Sequence, residues 1–128
     1  MSARDDIAAV EKFFSGWDGS DPRGCFDEYL AEDCVWHNAG MPTLEGKPAC
    51  MQLVDVFLGH FPKIEIDIAQ IAANDDVVIV QRTDKCLNAS GAVAAVIEVA
   101  GVLELRDGKI VRWHDYFDPS PFAGLTAG

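Results

Sequence analysis

Positive charge is in short supply: ten lysines and arginines stand against 21 aspartates and glutamates, for a formal charge of −11 and a pI near 4.4. A surface with that imbalance repels phosphate, which argues against nucleic acid or an anionic membrane as a partner. No apolar stretch approaches the roughly 20 residues that a bilayer crossing needs. The opening MSARDDIAAVEKFF is charged and amphipathic and lacks the apolar run of a signal peptide. A soluble, cytoplasmic protein is the expectation. Cysteine is confined to Cys25, Cys34, Cys50 and Cys86, with no CxxC spacing, so reduced thiols are expected and not a disulfide framework. No repeat, low-complexity tract or linker interrupts the 128 residues, and a single domain over 1–128 is expected.

What is there has two halves. Ile7, Val10, Phe13, Phe14 and Trp17 are spaced as on one face of a helix, with Ser2 placed to cap it and Asp5 and Asp6 decorating its start. A short helix through Phe26, Tyr29 and Leu30 follows, then an extended piece from about Cys34 to Asn38 and the turn-rich AGMPTLEG. KPACMQLVDVFLGHF reads as another helix, with Pro48 tolerated in its first turn. Four strands come next: KIEIDIAQIAA, VVIVQRTDKCL, AVAAVIEVAGVLEL and KIVRWHDYFD, joined by NDD, NASG and RDG, which are hairpin signals. Helices first and consecutive strands afterwards indicate an α+β fold, a curved antiparallel sheet folded around helices with room for a small ligand.

The chemistry lies in the alternation of the strands. Arg82 and Asp84 share a face with Cys86; Trp113, Asp115 and Phe117 share another, and Trp36 and Asn38 a third. The apolar run Val77 to Val80 is apolar on both faces and does not settle which side is inward. If these faces converge, two carboxylates flank one guanidinium, whose fork of donors can bridge them. Two carboxylates in an apolar pocket do not both ionise cheaply, so one is expected to serve as acid and the other as base. His37 and His114 fall on the opposite faces, which disfavours a metal triad with His60. Cys86 is expected to fill space and not to act as a nucleophile, and Asp118, before Pro119, to mark a turn.

Trp36-His37-Asn38, the Arg82-Thr83-Asp84 segment and DGKIVRWHDYFD together resemble the limonene-epoxide hydrolase family. That family lies within a wider set of SnoaL-like cyclases, ketosteroid isomerase and nuclear transport factor 2. The resemblance runs from the first helix to Phe122. It implies a cone-shaped fold of the cystatin-like, NTF2-like kind, with a strongly curved mixed sheet wrapped around N-terminal helices. It also implies a cofactor-independent hydrolase with no metal. In that scheme Asp115 activates a water with the help of Asn38, Asp84 protonates the epoxide oxygen, and Arg82 holds the carboxylates in register. Trp36 stands where the family has a tyrosine, and offers one donor and no acceptor. Face parity and the resemblance together name the pocket walls as Phe57, Phe61, Ile66, Cys86, Ile97, Val99, Phe117 and Phe122, which implies a small, mostly apolar substrate.

Two other functions fit the same residues. A cyclase, isomerase or dehydratase could use Asp84 or Asp115 to move a proton on a polyketide or steroid-like skeleton, and a non-catalytic module could retain the cavity for ligand binding. The Arg82 bridge favours epoxide hydrolysis; loss of the tyrosine favours the others. The small apolar residues of AVAAVIEVAGV suggest a sheet face that pairs with a second copy in a homodimer.

Overall fold

The computed structural model describes residues 2–122. Helix α1 (Ala3–Ser15) begins at a capping box: the Asp5 amide donates to Ser2 Oγ at 3.1 Å, and the Ser2 amide donates to Asp5 Oδ2 at 3.3 Å. Its apolar stripe goes inward as the spacing requires, and Val10, Phe13, Phe14 and Trp17 are all buried. Phe13 is the hub of an aromatic cluster, with ring centroids 5.2–5.7 Å from those of Phe14, Trp17, Phe26, Tyr29 and Trp113. Asp6 departs from expectation. It is buried, one turn into the helix, and not part of a solvated helix start.

Helix α2 (Pro22–Tyr29) starts behind Asp21, whose carboxylate accepts from the Gly24 amide at 2.9 Å. Strand β1 (Leu30–Asn38) follows without a linker, several residues earlier than the sequence signals place it. The turn-rich stretch after β1 includes the two-residue strand β2 (Leu44–Glu45), too short for its pattern to register. Helix α3 (Lys47–His60) carries Pro48 in its first turn behind Gly46, whose φ of +87° suits glycine.

Strands β3 (Lys63–Asn74), β4 (Val77–Leu87), β5 (Val93–Arg106) and β6 (Lys109–Tyr116) form successive hairpins. Asp75 and Asp107 take positive φ in the turns that join β3 to β4 and β5 to β6. At the β4–β5 turn, Asn88 Oδ1 accepts from the amides of Ser90 and Ala92.

The sheet order is β2-β1-β6-β5-β4-β3. All neighbours are antiparallel except β1 and β6, which run parallel with Trp36 beside Trp113 and Asn38 beside Asp115. The sheet is therefore mixed, and the consecutive hairpins alone do not reveal that pairing. Register shifts in the β1–β6, β3–β4, β4–β5 and β5–β6 pairings bend it, because each extra residue adds local twist. The helices pack on the concave face, α1 against β3 and β4 and α3 against β1. This settles the ambiguity at Val77 to Val80: Val78 and Val80 are buried, while Ile79 is 55% exposed on the outer face. Among the described residues no helix is long and apolar enough to cross a membrane.

Candidate active site

Arg82 points into the cone and is 2% exposed. Its guanidinium lies over the Phe14 ring at 4.5 Å, with the Trp17 ring 5.7 Å away. Its donors are spent on two carboxylates. Nε and Nη2 reach Asp84 Oδ1 and Oδ2 at 2.9 and 3.3 Å. Nη1 and Nη2 reach Asp115 Oδ1 and Oδ2 at 3.0 and 2.7 Å. Burial alone would make this guanidinium more acidic, but Asp115 and Asp84 overcome that and hold it firmly protonated.

Strand register explains how the three groups meet. Arg82 and Asp84 are two residues apart on β4, and their β5 partners on the inner face are Val99 and Ile97. Asp115 reaches the same point from β6, two strands away, because its β5 partner is Gly101, which has no side chain to intervene. Parallel pairing sets Asn38 directly beside Asp115, and the Ala39 amide donates to the Asp115 carbonyl at 3.0 Å. No described residue takes a hydrogen bond from the Asn38 side chain.

The two carboxylates differ. Asp115 Oδ1 accepts from both Arg82 Nη1 and Trp113 Nε1, the latter at 2.7 Å, whereas Oδ2 accepts from Arg82 alone. A carboxylate oxygen has two lone-pair sites, so the spare acceptor of Asp115 is on Oδ2. Among the described residues, only Arg82 donates to Asp84. One cation between two carboxylates leaves a net negative charge in an apolar site unless one carboxylate holds a proton. Burial, followed by the Asp115 charge, raises the Asp84 pKa against the pull of Arg82.

These groups line an open-mouthed cavity whose empty space, open solvent at the mouth included, is about 570 Å³. Asn38, Arg82, Asp84 and Asp115 supply its charge and amide, and Trp36 is one of its aromatic walls. Of the eight wall residues expected from sequence, Phe57, Phe61, Cys86, Ile97, Val99, Phe117 and Phe122 line it. Phe122 joins three of them into an aromatic collar, 5.4 Å from Phe57, 5.7 Å from Phe117 and 6.2 Å from Phe61. Ile66 does not line the cavity: it is half-buried beside the core, and Ile64, one inward position earlier on β3, takes the wall. Parity gives a face but not a depth. Trp17, Phe26, Val54 and Leu58 also line the cavity and were not expected there.

Cys86 is buried and its thiol is pushed up to about 12 by burial and by Asp84, which suits a filler and not a nucleophile. His37 and His114 lie side by side, ring centroids 4.3 Å apart, at positions opposite in parity to Trp36 and Trp113. Among the described residues no group of three or more His, Cys, Asp or Glu is placed to hold a metal ion. Asp118 accepts from the Ser120 amide and closes a turn, as its place before Pro119 suggests.

Sequence reasoning missed two contributors. Trp113 shares a face with Asp115 at i and i+2, and that spacing was its only signal. Gly101 lies mid-strand, where glycine often marks a close approach by another group. Trp36 stacks on Trp113 with centroids 4.4 Å apart and planes 7° from parallel. Its Nε1 is buried with no acceptor among the described residues, as is that of Trp17.

With this geometry in hand, comparison with known proteins is informative. The SnoaL-like domain family model matches residues 10–113. Over 121 residues the chain is 32% identical to the epoxide hydrolase EphG of Mycobacterium tuberculosis, covering 94% of this chain and 78% of that protein. The solved structure of an M. tuberculosis LEH-like epoxide hydrolase superposes with a TM-score of 0.76 at 30% identity, covering 98% of this chain and 92% of the other. An NTF2-like protein of unknown function from Burkholderia pseudomallei superposes with a TM-score of 0.77 over the full length of both chains; at 16% identity that likeness concerns the fold alone. The chain belongs to the SnoaL-like family, with the NTF2-like α+β cone, and is homologous to an epoxide hydrolase.

Proposed function

We propose that the protein hydrolyses a small, mostly apolar epoxide in one step, without a covalent intermediate, metal or organic cofactor. The observation that carries this is the single buried arginine donating to both Asp84 and Asp115 in the lining of an apolar cavity. Two acids held in fixed relation suit a reaction that removes one proton and delivers another in the same event.

In this mechanism a water is held between Asp115 Oδ2, which has the spare lone pair, and the free amide of Asn38. Trp36 lines the same cavity, and its Nε1–H, which has no acceptor among the described residues, is the remaining candidate donor to that water's oxygen. Asp115 takes a proton as the water oxygen attacks an epoxide carbon. The carbon–oxygen bond breaks, and Asp84, whose pKa burial raises, gives its proton to the departing oxygen. The product is a diol; Asp115 then loses its proton to solvent and Asp84 regains one. Each positioned proton transfer is typically worth ~10²–10⁴-fold in rate. The aromatic collar excludes water and favours alkyl or cyclic substrates without charge.

Incubation with small alkyl and cyclic epoxides in ¹⁸O-water tests this reading. One labelled oxygen in the diol from the first turnover, with no label in either aspartate, is the expected result. No turnover across a broad panel, combined with tight binding of an apolar ligand, would reassign the cavity to binding alone. Proton exchange or isomerisation of a polycyclic ketone instead would place it with the isomerases and cyclases. We also propose that the exposed outer face carrying Ile79, Val96 and Tyr116 meets a second copy; light scattering giving a monomer mass would reject that.

A further inference from the structure

Gly101 lies in the interior of β5, opposite Asp115 on β6 and Val80 on β4. Its φ is not among the positive values that favour glycine, which occur at Gly40, Gly46, Gly91 and Gly108. Backbone conformation therefore does not call for glycine here, and glycine inside a strand costs roughly 0.5–1 kcal/mol relative to alanine. Space does call for it. A Cβ at this position would lie 2.7 Å from Asp115 Oδ1, 2.8 Å from Arg82 Nη1 and 3.3 Å from Val80 Cγ1. The first two separations are closer than real Cβ atoms approach, so those groups would have to move.

Neither group is a loose end that can give way. Asp115 Oδ1 is held by Trp113 Nε1 at 2.7 Å and by Arg82 Nη1 at 3.0 Å. Arg82 is fixed on its other edge by Asp84 and on its face by Phe14. The missing side chain is what lets the Arg82–Asp115 fork sit directly against the β5 backbone. A methyl group there would push Nη1 and Oδ1 off that backbone together. Since Arg82 also holds Asp84, the displacement passes to the second carboxylate.

We propose that Gly101 is a positioning residue for the proton-transferring pair, setting the direction of Asp115 Oδ2 and the separation between Arg82 and Asp84. The role in turnover rests on the reading of Asp115 as base and Asp84 as acid; the role in geometry does not.

The test is Gly101→Ala, with Val80→Ala as a control that removes a buried contact on the same inner face without intruding on the pair. On a small cyclic epoxide, Gly101→Ala is expected to lower kcat about 100-fold, the scale of a misplacement near 1 Å, with KM within about threefold. The titration midpoint of Asp84, followed by carboxyl ¹³C NMR, is expected to move further up by about one unit as Arg82 withdraws. Val80→Ala is expected to lower the melting temperature while leaving that midpoint and the pH profile of kcat in place. An unchanged midpoint and kcat in Gly101→Ala, or the same midpoint shift in Val80→Ala, overturns the proposal. Should wild-type protein turn over no epoxide, the functional reading fails on its own and the Asp84 midpoint still decides the role of Gly101. If Gly101→Ala alone does not fold, the comparison moves to the Asp115→Ala background. There the smaller side chain should relieve the clash and let the double variant fold, and equal intolerance in both backgrounds overturns the proposal.

Discussion

The indole N–H of Trp113 donates to Asp115 Oδ1 at 2.7 Å, and both residues project from the same face of β6. With Arg82 taking the second lone pair of Oδ1, this bond leaves only Oδ2 of Asp115 able to accept a proton from water. Trp113→Phe keeps the apolar surface that stacks on Trp36 but removes the donor. A hydrogen bond to a charged group is worth about 1.5–3 kcal/mol, so kcat should fall roughly 10- to 150-fold. Steady-state kinetics on an epoxide substrate check this; an unchanged kcat would mean that Arg82 alone orients the base.

Asp115→Asn and Asp84→Asn should each lose ~10²–10⁴-fold in rate while keeping the far-ultraviolet circular dichroism of the parent. The amide has nearly the shape of the carboxylate, and it can neither take the water's proton nor supply one. Near-normal rates in either variant would strip that residue of its role.

Arg82→Met retains much of the side chain's volume but leaves two carboxylates in an apolar site with no counter-charge. Removing one partner of a buried ion pair costs about 3–5 kcal/mol, and urea unfolding at neutral pH should show a loss of that order. The loss should shrink in acid, where both carboxyls are neutral. Equal losses at both pH values would mean that the arginine acts through packing on Phe14 and Trp17.

The rate should also depend on pH in a fixed direction. Burial raises the Asp84 pKa, and the proposed hydrolysis uses its protonated form, so the acid is available at low pH and lost as pH rises through the raised value. A plot of kcat against pH should fall on its alkaline side, and the alkaline limb should be absent from the residual activity of Asp84→Asn. A rate that climbs through that region would reverse the assignment of acid and base.

Asp6 allows a test of stability alone. It is buried near Asp76, its Oδ2 has no partner, and burial followed by the Asp76 charge raises its pKa above 3.8. A carboxyl with a raised folded-state pKa contributes its full stability below the unfolded value and loses it as pH rises through the folded one. At neutral pH it is a liability. Asp6→Asn should raise the melting temperature at pH 7, with the gain disappearing near pH 3; a lower melting temperature at pH 7 would mean that the ionised form has a partner.

Trp36→Tyr exchanges an indole donor for a hydroxyl that both donates and accepts. Epoxide turnover should be kept or raised. A collapse in rate would mark Trp36 as adapted to a substrate of its own.

Much of this was legible in the sequence because it depends on period-two alternation and on turn chemistry. Arg82, Asp84, Asp115 and Asn38 could be placed on shared faces from parity, and the Asn-, Asp- and Gly-rich joints marked the hairpins. Whatever depends on distance along the chain was not legible. The parallel contact of β1 with β6 joins residues more than 70 positions apart, and no local signal encodes it. Depth was equally hidden: Ile64 and Ile66 share a face, yet only the first reaches the cavity. Asp6 resembled any acidic residue at a helix start, and its burial accompanies the packing of α1 against β3 and β4, which no local signal encodes.

The β1–β6 pairing also bears on how the chain acquires its fold. Pairings between distant segments bear the largest loop-closure entropy and are slow to form. Until the final strand slots in beside the first, Arg82 has only Asp84, and Asn38 has no neighbour at the position Asp115 will fill. Ribosome-bound or truncated chains ending before Lys109 therefore lack Asp115 altogether, and proteolytic protection of β1 should arrive together with the Arg82–Asp115 pair during refolding.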